Sequence, residues 1–285
     1  MTTYDLHQHL WPEAFVEALR ERKTPPRLDG DVLETCEGRF EVDLAQHDPE
    51  TRLAALDRDE IDIAVLSLQP SLGLRDMAAP ECEELELAWV EAVGELDPTR
   101  FRAFSPSCVR EGFVGVSLGS SAFLDFDAVA PTLDTAAEAD ATVFVHPEAG
   151  RASGDARPEW WEWVVSYPAR MQEAYVAWLA FGRERWPTLR VLFAMLGGGG
   201  PFQLERLARR GVHVRSALDP NTFFDVSTHG RRAIELCVET FGVGQLVYGS
   251  DTPVVDSRPT LDAVRGFGDA VTHVLQSDTP ARILS

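Results

Sequence analysis

The chain has 285 residues, 45% of them apolar and 25% charged, and a formal charge of −20. Such an acidic surface repels nucleic acid and anionic membrane, and no apolar run approaches the roughly 20 residues of a membrane span. The N-terminus shows neither the basic n-region nor the apolar h-region of a secretory signal, so the expectation is a soluble, cytoplasmic protein that acts on a small molecule.

Two residue types narrow the chemistry further. Lys23 is the only lysine and lies in a polar Arg-Lys-Thr-Pro-Pro stretch, which argues against Schiff-base and P-loop mechanisms. Cys36, Cys82, Cys108 and Cys237 are far apart with no C-x-x-C pair, as expected of buried thiols and not of a disulfide framework.

In chain order, residues 1–10 form a short apolar-flanked strand that ends in His7-Gln8-His9. Pro12 to Arg22 reads as a helix with Phe15, Val16 and Leu19 on one face, stopped by Pro25-Pro26. Residues 27–46 read as a small insertion, a hairpin over one end of the fold. Asp48-Pro49-Glu50 opens a helix to about Glu60, and Ile61–Ser67 is a strand by its β-branched content. Pro80 to Leu96 is helical, Phe101–Phe104 and Phe113–Leu118 are strands, and a helix over Asp127–Ala139 leads to a fifth strand, Ala141–His146.

An aromatic helix follows from Glu159 to Arg185. Leu189–Ala194 is the sixth strand, with its helix from Pro201 to Arg210. Thr222–Ser227 is the seventh, with a helix from Arg231 to Phe241. Gln245–Tyr248 is the eighth, and one helix over Thr260–Leu275 completes the pattern. Eight short apolar strands alternating with helices predict a single (β/α)8 barrel, which typically takes about 250 residues. A doubly wound sheet would carry G-x-G-x-x-G after the first strand, where His-Gln-His stands instead.

In such barrels the active site lies at the C-terminal strand ends. Strand 1 ends in His7 and His9, which project to one face; strand 5 ends in His146, and strand 8 leads to Asp251 in Tyr248-Gly-Ser-Asp-Thr-Pro253. Three imidazoles and a carboxylate make a ligand set for one divalent metal, Zn²⁺ first, with Mn²⁺, Co²⁺ or Fe²⁺ also suited. No organic cofactor site is expected. His229, just after strand 7, can reach the same mouth as acid or base. Gly197–Gly200 gives backbone freedom in a tight turn. Trp160 or Trp161 is expected to wall the substrate pocket, and Arg151, Arg170 or Arg231 to clamp a substrate carboxylate, with Arg231 the preferred candidate.

At these residues the chain resembles the amidohydrolase superfamily, in its amidohydrolase-related branch of aminocarboxymuconate-semialdehyde decarboxylase-like enzymes. The matching pieces are Asp5-Leu-His-Gln-His9, Val145-His-Pro147, Leu196-Gly-Gly-Gly-Gly-Pro-Phe-Gln-Leu-Glu-Arg206 and Gly249-Ser-Asp-Thr-Pro253, in order and nearly end to end. The resemblance implies that His7, His9, His146 and Asp251 hold one divalent metal, that the reaction is hydrolysis or non-oxidative decarboxylation, and that the protein forms a homodimer.

There is one departure. Relatives usually place a histidine on strand 6 before the glycine run, where this chain has Met195; a thioether cannot take a proton, so Met195 lines the pocket instead. Asp251 alone can serve as base for hydrolysis, which makes the leading expectation a mononuclear hydrolase. In it, metal-bound hydroxide attacks an amide, ester, lactone or activated C–C bond of a planar substrate. The alternatives are decarboxylation of an aromatic or muconate-like acid, with His229 replacing the missing base, and a metal-binding relative with little catalysis.

Overall fold

A computed structural model describes residues 1–150, 158, 160–212 and 219–285. Eight parallel strands form one sheet: Tyr4–Gln8, Ile63–Leu66, Phe101–Pro106, Gly115–Gly119, Thr142–His146, Val191–Phe193, Thr222–Asp225 and Leu246–Val247. They pair in sequence order, in registers such as Val116 on Val143 and Phe144 on Leu192. The eighth strand returns to the first: Leu6 N–H donates to Tyr248 O at 3.0 Å and His9 N–H to Thr252 O at 2.8 Å. The result is a nearly closed (β/α)8 barrel; the first strand, Tyr4–Gln8, is shorter than predicted, and the other seven lie within two residues of their predicted bounds.

The helices follow from local signals. Asp48 caps the helix Pro49–Asp59 by accepting from Thr51 N–H at 2.7 Å, with Pro49 at its first turn. Phe15, Val16 and Leu19 are the buried face of Glu13–Glu21. Inside the barrel, Phe144 lies between Phe104 (ring centroids 5.1 Å) and His7 (5.0 Å), so an apolar aromatic floor supports the imidazoles. No helix among the described residues is long and apolar enough to cross a membrane.

Three expectations change, and the tight glycine turn gains a handedness. The insertion is a three-stranded antiparallel sheet, Arg27–Asp29, Val32–Thr35 and Gly38–Glu41, not a single hairpin; both connections are two residues long, and Gly30 (φ +62°) supplies the left-handed turn of the first. The last helix is broken: Arg258–Arg265 stops before Gly268 (φ +89°), and a second helical run from Asp269 extends to Ile283. The cysteines are free, but only Cys237 is buried, while Cys36 and Cys108 are exposed. Finally, residues Met195 to Gly199 all lie in the left-handed region, at φ +53°, +50°, +58°, +62° and +79°. The glycine run is thus a left-handed turn, and Gly198 lets it lie directly against the carbonyl of Pro168.

Candidate metal centre and active-site cavity

His7, His9, His146 and Asp251 meet at the barrel mouth, with one potential ligand atom from each lying within 4.8 Å of the others. His7 Nε2 is 3.1 Å from His9 Nε2, and Asp251 Oδ1 is 3.0 Å from His9 Nε2 and 3.4 Å from His7 Nε2. The three histidines are buried. Asp251 adopts φ +64°, a conformation Asp enters more readily than most residues, while its amide donates to His7 O at 2.8 Å.

The other face of each ring decides which nitrogen is free. His7 Nδ1 faces Asp225 Oδ2 at 2.8 Å, His9 Nδ1 faces Ser67 O at 2.8 Å, and His146 Nδ1 faces Pro147 O at 2.7 Å. All three partners are oxygen acceptors, so each Nδ1 carries a proton and each Nε2 is the nitrogen turned to the centre. Burial keeps His9 below its ordinary range and His146 well below it, in the neutral ligating form. For His7 burial acts the same way, but the carboxylates of Asp225 and Asp251 outweigh it and raise the imidazole to about 9. Asp251 is also buried, yet the surrounding imidazoles hold it ionised. A basic imidazole and an ionised carboxylate are strong ligands. This N₃O set fits a divalent ion, and a metal-binding site is present.

Behind it stands a support that strand-end reading did not pick out. Asp225, at the end of the seventh strand and fully buried, accepts from His7 and, through Oδ1, from the amides of Met195 (3.1 Å) and Ser227 (2.9 Å). The signal was available: a carboxylate at a C-terminal strand end. Asp5 and Arg52 were also missed. Asp5 accepts from Gln8 Nε2 and Ser250 N–H, and buried Arg52 holds Gln8 Oε1 and the His9 carbonyl.

The remaining candidates are scattered. His229 is half-buried, donates from Nδ1 to Ser227 O at 2.8 Å, and lies outside the four-residue cluster. Met195 lies at the edge of the core, its amide on Asp225. Trp160, 49% exposed, and Trp161 have ring centroids 5.9 Å apart. Arg231 donates to Gly266 O at 2.6 Å and covers the Phe267 ring, and Arg170 donates to Glu148 O at 2.6 Å, so both guanidinium groups are engaged by the protein itself. Arg151 and Glu159 lie outside the described residues.

A cavity of about 570 Å³ lies between the insert sheet and the barrel mouth. Trp11, Gln69 and Pro253 form part of its wall, each two residues beyond a centre residue or its support (His9, Ser67 and Asp251). The aromatic walls are Phe40, Trp163 and Tyr167. Its lining also includes Arg39, whose side chain makes no ion pair or hydrogen bond with any described residue.

No protein-family model matches the sequence. Two curated proteins do. 2-Amino-3-carboxymuconate-6-semialdehyde decarboxylase of Dictyostelium discoideum is 26% identical over 294 residues, covering 87% of this chain and 81% of its own length. The decarboxylase yanB of Aspergillus niger is 25% identical over 341 residues, covering 99% of this chain and 87% of that protein. Among solved structures, 5-carboxyvanillate decarboxylase from Sphingomonas paucimobilis superposes with a TM-score of 0.78 at 18% identity, covering 99% and 98% of the two chains. The corresponding enzyme of Novosphingobium aromaticivorans, described with bound manganese and a nitrobenzoic acid, gives 0.75 at 16%, covering 99% and 97%. Hydrolysis is not the reaction named for the two matched relatives, and the decarboxylase alternative fits better than the hydrolase expectation.

Proposed function

We propose that this chain is a metal-dependent decarboxylase of a small aromatic or muconate-like acid. The observation that carries the reading is that both sequence relatives, each spanning most of the chain, are decarboxylases. An aromatic-walled cavity whose lining includes Trp11 and Pro253, two residues beyond His9 and Asp251, and an arginine with an unengaged side chain supports it.

His7, His9, His146 and Asp251 would hold the ion, which would supply Lewis acidity toward a substrate oxygen and toward the negative charge that develops in decarboxylation. The donor chemistry suits Zn²⁺, and the manganese-bound neighbour favours Mn²⁺. Arg39 offers paired N–H donors to a carboxylate, and Phe40, Trp163 and Tyr167 hold a flat ring and exclude water. In the reaction the C–C bond to the carboxylate breaks, its electron pair stays on the substrate carbon, and that carbon takes one proton. Asp251 Oδ1 faces the imidazoles, which leaves Oδ2 of the ionised carboxylate to accept a proton from water and pass it to that carbon. His229 Nε2 is the second proton carrier, its Nδ1 being engaged by Ser227.

The hydrolytic alternative draws on Met195, which removes a base that decarboxylation would use and leaves Asp251 sufficient for attack by water. Incubation of the Mn²⁺-loaded protein with carboxylated phenols and muconate-type acids in H₂¹⁸O separates the two. Stoichiometric CO₂ with no ¹⁸O in the organic product is expected; ¹⁸O incorporation without CO₂ would overturn the proposal.

A further inference from the structure

Asp225 and His7 touch although they are not on neighbouring strands. Asp225 ends the seventh barrel strand and His7 lies on the first, and the eighth runs between them. The residue at the crossing is Gly249. A Cβ there would stand 2.7 Å from His7 Cβ, closer than real side chains approach, and 3.1 Å from Asp225 Cβ, tighter than most do. The missing side chain is the opening through which Oδ2 of Asp225 reaches His7 Nδ1 at 2.8 Å.

We propose that Gly249 and Asp225 together form a positioning device that fixes the ring and tautomer of His7 for metal binding. The inference rests on the metal reading above and assigns a role to two residues outside the ligand set. The carboxylate is needed because it accepts on both sides. Oδ2 takes the His7 proton, while Oδ1 takes the amides of Met195 and Ser227 and the Ser227 hydroxyl at 2.6 Å. An asparagine has one acceptor oxygen. Turned to the two backbone amides, it would present its NH₂ to His7 Nδ1; that forces the proton onto Nε2, the nitrogen that faces the centre. Turned the other way, it would set its NH₂ against two N–H donors. Asp225 therefore differs from a loop anchor, whose three Oδ1 contacts an amide oxygen largely reproduces.

The test is Mn²⁺ affinity of the purified full chain, with thermal melts and circular dichroism recorded beside it. Asp225→Asn and Gly249→Ala are each expected to weaken Mn²⁺ binding by about 10- to 100-fold while the protein stays folded. Ser227→Ala, which removes only a contact to Oδ1, should stay within about threefold of wild type. Wild-type affinity in folded Asp225→Asn overturns the proposal. If neither variant folds, two-bond ¹H–¹⁵N spectra of the Zn²⁺-loaded wild type decide: a proton on His7 Nδ1 supports the device, and a bare or metallated Nδ1 refutes it. A wild type that binds less than about half an equivalent of Mn²⁺ refutes the metal reading itself, which is a different result.

Discussion

His7 Nε2 and His9 Nε2 face each other at 3.1 Å, each ring anchored on its far side to an oxygen, Asp225 Oδ2 and Ser67 O. Two inward lone pairs at that distance repel unless a cation or proton lies between them. Saturating Mn²⁺ should therefore stabilise the fold by about 2.7 kcal/mol at a hundredfold excess over Kd, a rise in Tm of roughly 5–10 °C for a chain of this size. Scanning calorimetry with EDTA and with Mn²⁺ measures it. The His7→Ala/His9→Ala double variant should show no rise, and an equal rise there would mean that the ion binds elsewhere.

Among the described residues, the Arg39 side chain lines the cavity without an ion-pair or hydrogen-bond partner. Arg39→Ala should raise KM for an acid substrate about tenfold while kcat changes less than about threefold, the signature of lost ground-state binding. Arg39→Lys should recover part of the loss, since it keeps the charge but not the paired donors. An unchanged KM would place the carboxylate elsewhere.

Met195 sits at φ +53°, where histidine is better tolerated than methionine. Met195→His should fold at least as stably as wild type and, by restoring an acid–base group, raise the decarboxylation rate at least about tenfold. A folded variant with no gain in rate would show that Asp251 and His229 already suffice.

The left-handed turn should tolerate no side chain at Gly198, where a Cβ would lie 2.0 Å from Pro168 O at φ +62°. Gly198→Ala is expected to cost about 2 kcal/mol or more. Gly94→Ala, with nothing within 4 Å and helical backbone, should be neutral or stabilising by up to about 1 kcal/mol. Urea unfolding of the pair measures both, and equal stabilities would contradict the turn.

His47 accepts the Trp11 N–H through Nδ1 at 3.0 Å and stacks on that indole. Burial, and then the charge of Arg52, lower its pKa from 6.5 to about 3. Between those values the unfolded chain binds a proton that the folded chain does not, so stability falls as pH falls through this window; above 6.5 the residue contributes no slope. The expected slope is up to about 1.4 kcal/mol per pH unit. His47→Asn keeps an acceptor for Trp11 and removes the titration, so its stability between pH 6 and 4 should decline less steeply. An identical slope would exclude His47 as the group responsible.

What could be read from the residues were the features carried by local pattern. Period-2 and period-3.6 apolar spacing marked the eight strands and most helices, and strand-end position grouped His7, His9, His146 and Asp251 before any coordinates. Asp225 was passed over because a lone aspartate after Phe223-Phe224 looks like any strand terminator, and its partner is 218 residues away. The aromatic wall was placed one turn early: Trp160 and Trp161 were chosen, while Trp163 and Tyr167 face the cavity. Arg231 is engaged by Gly266 O and the Phe267 ring while Arg39 lines the cavity, because an arginine's availability depends on which carbonyls and rings lie nearby.

The sequence by itself determined the barrel and its ligand set, since both are written in spacing along the chain. Only the tertiary structure decided which imidazole nitrogen faces the centre, which carboxylate stands behind His7, and why Gly249 has no side chain. Those depend on contacts between strands 7, 8 and 1, where a single added carbon would part the pair. Hydrogen-bond direction and close packing act through space over a few ångströms, and sequence separation carries no record of them.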